Sequence, residues 1–253
     1  MSMRKAAWLV AAVVGLSLAS VTGSAPQTLA AADPCGPPVT SVIACENTLP
    51  GDPPSDWQVG SAADPEGDPT IQGFATSMSV DVGQTVYFKI DTPAASYHID
   101  ILRIGYYQGE GAHKVVSDMQ PTAALPQTQP NCLNDTATPA TGLIDCGNWA
   151  VSASWAVPAT AVSGLYIAHL KRDDTSSGNG SLIPFVVRND ASHSDILYMT
   201  DDETMQAYNS YGGNSLYTCT VNCPPGNPLA YKGASEVSYN RPWHSAADDD
   251  GAS

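Results

Sequence analysis

The sequence predicts a mainly β protein: an immunoglobulin-like antiparallel β-sandwich followed by the start of an α/β domain. Three observations carry this. Between Ile71 and Arg188 about seven short β-rich runs are separated by turn residues. No segment among them has helical periodicity. After Ser192 the texture changes to an apolar run, an acidic turn and a helix-like stretch, the way an α/β domain opens.

The chain opens with Arg4 and Lys5 before an apolar run from Ala6 to Ala19, with small residues after it. That is the pattern of a signal peptide, expected over residues 1–32, and it implies a secreted, extracellular protein. No second apolar run reaches spanning length, so no membrane anchor is expected. Residues 33–69 are rich in Pro, Gly and Asp, a composition that builds no packed element unaided. A tethered lead-in stapled by its own disulfide is expected there.

The sandwich is expected over residues 70–189. In "TVYFKI" Val86, Phe88 and Ile90 share one face, and in "YHIDILRIGYY" Tyr97, Ile99 and Ile101 alternate with His98, Asp100 and Leu102. Gly83 sits where a tight turn needs unrestricted φ. "SGLYIAHL" places Tyr166 where a hydroxyl can tie a sandwich corner. In residues 190–253, "DILYMT" reads as a strand and "DDETMQAY" as a helix start with Asp201 or Asp202 as cap. So short a tail either packs on the sandwich or opens a longer, truncated α/β domain.

The formal charge is −15. It becomes −17 without the two leader cations (−15 − 2), with no Lys/Arg cluster anywhere. Nucleic acid and anionic membranes are therefore poor partners. Six cysteines in an exported chain make disulfides the default, and sequence-local pairing gives Cys35–Cys45, Cys132–Cys146 and Cys219–Cys223 among fifteen connectivities. The rival reading, a metal site at the C-x3-C of Cys219 and Cys223, lacks neighbouring ligands. The five histidines form no i, i+4 pair, and no G-x-S-x-G elbow exists.

The series "TIQGFATSMSVDVGQTVYFKI", "YHIDILRIGYYQGEGAHKV", "SGLYIAHLKRDD", "QAYNSYGGNSLYTC" and "VSYNRPW" resembles exported actinobacterial proteins grouped with the large (β) subunit of N,N-dimethylformamidase. The resemblance implies a sandwich followed by an α/β domain that hydrolyses a small amide C–N bond, at an Fe(III) held by two tyrosine phenolates and a glutamate. A hard trivalent cation favours such donors, polarises a carbonyl and activates water. Tyr208 in "AYN" matches one phenolate ligand, with Tyr217 and Tyr239 in reserve; the glutamate has no match in the chain. His244, beside "RPW", is the histidine candidate for catalysis.

Each tyrosine also has a structural reading, as a half-buried aromatic pinning a glycine turn. The alternative function is an extracellular binding or accessory module for a carbohydrate or protein ligand, which aromatics on one exposed sheet face (Tyr97, Tyr106, Tyr107) would favour. The sequence sets no oligomeric state.

Overall fold

A computed structural model describes residues 33, 35–36, 41–60, 67–175, 180–225 and 233–243. The expected leader (1–32) and His244 lie outside them. The described residues from 35 onward form one unit by their contacts.

Two sheets make the fold. The first joins β1 (Gln72–Ala75), β3 (Thr85–Asp91) and β8 (Ala153–Ala156), all antiparallel. The second runs in the order β2 (Ser79–Asp81), β10 (Ser181–Arg188), β9 (Gly164–Arg172), β4 (Tyr97–Ile104) and β5 (Ala112–Met119). Every pairing in it is antiparallel except β2 with β10, which is parallel. A short ribbon of β6 (Leu133–Asn134) and β7 (Ile144–Asp145) lies inside the loop closed by Cys132–Cys146.

Period-two alternation determines which face each strand buries. Val86, Phe88 and Ile90 of β3 point inward to meet Ile183, Phe185 and Val187 of β10, while Tyr87 faces solvent. The Phe88 and Phe185 rings meet edge-on at 5.7 Å, joining the sheets. Tyr97, Ile99 and Ile101 enter the same core, as their alternation predicts. The Tyr166 hydroxyl donates to the Val162 carbonyl at 2.6 Å, the corner tie expected from "SGLY". Gly83 holds φ +80 in the turn between β2 and β3.

Two expectations change. The Pro/Gly/Asp-rich lead-in is not a mere tether: it forms α1 (Val42–Glu46) and α2 (Pro54–Trp57) and packs on the outer face of the larger sheet. Trp57 covers Leu102, Ala112 and Ile167, the Tyr107 hydroxyl donates to Glu46 Oε1 at 2.8 Å, and Lys114 N–H donates to Asp52 Oδ2 at 2.6 Å. Neighbouring strands supply the apolar surface and partners that the segment lacks alone. The second change is at "DILYMT": Ile196 to Met199 form no strand, and all four side chains lie open. The helix after them is present as α3 (Asp202–Tyr208), with Asp201 at its N-cap position but no side-chain capping bond.

Candidate functional site

The stretch from α3 to Trp243 is built around Arg241, which is 1% exposed. Its Nη1 donates to the carbonyls of Asn214 at 2.7 Å and Tyr211 at 3.2 Å. Nη2 donates to Asn209 O at 2.7 Å and more distantly to Gln206 O. Gln206 and Asn209 lie at the carboxyl end of α3, where free carbonyls and the helix dipole favour a cation. Burial pulls the guanidinium down to about 10, so it stays protonated at neutral pH.

The asparagines extend this framework. Asn209 Nδ2 donates to Pro242 O at 2.9 Å, and its Oδ1 accepts from Tyr211 N–H. Asn214 Nδ2 donates to the carbonyls of Gly142 and Val221, while its Oδ1 accepts the N–H of Thr220 and Val221. The polar residues of "AYNSYGGNS" are thus buried donors and acceptors that satisfy a non-repetitive backbone. Gly212 and Gly213 turn at φ +77 and +90, and a Cβ at Gly212 would press on Ile144 at 2.9 Å. Cys219–Cys223 closes the next turn.

The four tyrosines among the described residues of the region divide by environment. Tyr211 packs edge-on against Trp149 at 6.4 Å, and burial, with the Asp91 charge, pushes its phenol up to about 12. It is structural. Tyr208 and Tyr217 are 52% and 46% exposed and stack at 4.3 Å, their planes 16° apart. Tyr239 donates to Asp202 Oδ2 at 3.2 Å, and partial burial, then the Asp202 charge, raises its phenol. The candidates therefore fall into two places: Tyr208 with Tyr217 at the carboxyl end of α3, and Tyr239 with Asp202 at its start. Six residues at 1.5 Å each separate these ends by roughly 9 Å along the helix. For a cation that prefers anionic oxygen, the stacked phenols fit by donor type.

Tyr239, Arg241 and Trp243 also line a cleft of about 30 Å³, closed below by Phe74 and Ala75 of β1 and Ile183 and Pro184 of β10. Met205 and Gln206 form its helical wall. Tyr208 and Tyr217 are not among its lining residues.

Sequence reasoning missed two constellations. Arg241 is one: a single cation amid Asn, Ser and Gly is the signal that could have marked it. The other is His98, Asp100 and Asp118, with one donor atom each within 4.8 Å of one another. Strand alternation puts His98 and Asp100 in reach of that face, but Asp118 arrives through register shifts between β4 and β5 and a positive φ of 55. Both Asp100 oxygens are engaged, Oδ2 with Lys114 Nζ at 2.8 Å and Oδ1 with Asp118 N–H at 2.9 Å. Burial raises this carboxyl, but the Lys114 and Asp118 bonds outweigh it and hold it low. His98 Nδ1 is turned to Asp173 at 2.6 Å. The aromatic sheet face that would favour a binding module does not form, because Tyr97 and Tyr107 are fully buried and only Tyr106 is exposed.

Fold and site together define a mainly β, disulfide-bonded protein in which a buried arginine fixes α3 and the described loops that follow it. The family follows from a direct match: residues 98–253 fit the family described as N,N-dimethylformamidase beta subunit-like, C-terminal, and the chain belongs to it. The match begins inside β4 and runs through the α3 region. No curated protein matches the chain. Among solved structures it is similar to Pseudomonas fluorescens alkylpurine DNA glycosylase AlkC bound to DNA containing an abasic site analog, with 12% identity and a TM-score of 0.24 over 48% of this chain. The chain spans 31% of the length of that structure, a likeness too slight to bear on fold or function. Among the described residues, no helix is long and apolar enough to cross a membrane.

Proposed function

We propose that this chain carries part of a dimethylformamidase-like amide hydrolase site, with Tyr208 as a phenolate ligand to a ferric ion and Tyr217 as the phenol beside it. The observation that carries this reading is the stacked, solvent-open Tyr208–Tyr217 pair inside the family-matched region. When bound, a ferric ion supplies Lewis acidity toward an amide carbonyl and a water molecule.

The chain's own residues have plainer tasks. The Arg241 hub fixes the backbone between the two tyrosines, just after Tyr208 and three residues before Tyr217. A phenolate is an anionic oxygen donor, which a trivalent cation favours. Tyr239 holds Asp202 at the other end of α3 and stands in reserve. The substrate class is a small amide, and the described residues assign neither a glutamate ligand nor a catalytic histidine. Three disulfides support a secreted protein handling such amides outside the cell.

Ferric titration of the purified chain, followed in the visible range, tests the assignment. A tyrosinate-to-iron charge-transfer band is expected to saturate, to vanish in Tyr208→Phe, to weaken in Tyr217→Phe and to persist in Tyr211→Phe. A band that survives Tyr208→Phe unchanged overturns it.

A further inference from the structure

Within the sandwich itself, β4, β5 and the turn after β9 bring four titratable side chains together on the outer side of the larger sheet. His98 and Asp100 stand two apart on β4 and share that face, opposite the core side taken by Tyr97, Ile99 and Ile101. Asp118 reaches them from β5, and Asp173 follows β9.

His98 Nδ1 lies 2.6 Å from Asp173 Oδ1. An ionised carboxylate only accepts, so Nδ1 carries the hydrogen and the lone pair of the neutral ring is on Nε2. A metal-ligating histidine is held in this way, by a carboxylate on its far nitrogen. The His98 side chain is only 16% exposed, yet Nε2 makes no hydrogen bond to the described residues; Asp118 Oδ1, which it faces, is 3.8 Å away. His98, Asp100 and Asp118 each offer a ligand atom within 4.8 Å of the others. Two ligands on one zinc ion stand roughly 3.3–4.2 Å apart, given bonds of about 2.0–2.2 Å. A small rotation of Asp118, whose side chain is 79% exposed, closes the difference. Asp100 bonds Lys114 through Oδ2 and Asp118 N–H through Oδ1, and each oxygen keeps a second lone pair. Among the described ion pairs of this group, three carboxylates meet one ammonium, Lys114, a balance that suits a doubly charged cation.

We infer that His98 Nε2, Asp100 and Asp118 bind a divalent transition cation of the zinc class, with Asp173 positioning His98 and water completing the coordination. The inference is independent of the iron reading, since a ferric ion favours phenolate oxygen whereas imidazole beside carboxylates suits zinc. Calorimetric titration of the full chain with zinc chloride tests it, with magnesium chloride as the hard-cation control. One zinc is expected to bind per chain with micromolar affinity and to stay bound in excess magnesium. Asp118→Asn should weaken zinc about tenfold or more and leave the metal-free thermal midpoint unchanged, because that carboxylate makes no hydrogen bond to the described residues. Asp173→Ala should weaken zinc by a similar factor, and Asp173→Glu should keep it. Tyr208→Phe should bind zinc as the native chain does. No saturable zinc binding, magnesium binding of equal strength, or an affinity unchanged in Asp118→Asn overturns the inference. So does loss of zinc in Tyr208→Phe, which puts the ion at the phenols.

Discussion

Arg241 sits 1% exposed, and four main-chain carbonyls accept its guanidinium hydrogens. Arg241→Met keeps apolar bulk but leaves the buried carbonyls of Asn209 and Asn214 without this donor, at a cost of about 2–4 kcal/mol. Urea unfolding should report that loss, and an unchanged midpoint would refute the hub. Tyr166→Phe removes one buried tie to Val162 O and is expected to cost about 1 kcal/mol in the same assay. The two residues differ in legibility. Tyr166 bonds four residues upstream, a local relation that strand pattern and turn glycine announce. Arg241, Asn209 and Asn214 find partners up to 72 residues away, as Asn214 does at Gly142, and no local pattern encodes such pairings. The same distance hid the His98, Asp100 and Asp118 group, whose members meet only once β4 and β5 are registered.

At the scale of elements, β7 straps the end of the described chain to the sandwich. Asp145 Oδ2 accepts from Ser238 Oγ at 2.6 Å and from Asn240 Nδ2 at 3.2 Å, and Cys146 N–H donates to Asn240 O at 2.6 Å. Burial raises the Asp145 carboxyl, but bonds from Ser238, Gly147 N–H and Asn240, with the Lys89 charge, outweigh it and lower it. A carboxyl depressed on folding contributes stability above its unfolded value of about 3.9, and that stability is lost as pH falls through the folded value. Asp145→Asn should therefore lower the thermal midpoint near neutral pH and lower it less in acid; an equal loss at both would contradict this role. Strands such as β3 and β10 were legible because each buries one face and so alternates. "DILYMT" has strand propensity and no partner among the described residues, and pairing rather than propensity makes a strand. The lead-in misled for the opposite reason: its composition says nothing of the apolar sheet face that receives Trp57.

For the molecule as a whole, the disulfides and the sandwich core share the stability. The Cys132–Cys146 bridge closes a loop 14 residues long in sequence separation and ends in a fully buried Cys146. Replacing both cysteines by serine should cost about 3 kcal/mol, chiefly by freeing the unfolded chain, and denaturant midpoints would measure it. The central claim concerns what this frame holds up: a pair of phenols at the carboxyl end of α3, in a chain of the dimethylformamidase beta subunit-like family. Its most direct test is the iron content and visible spectrum of the chain as isolated from an exporting host grown with iron. The account predicts about one ferric ion per chain and a tyrosinate charge-transfer colour. Folded, colourless protein without stoichiometric iron would contradict it.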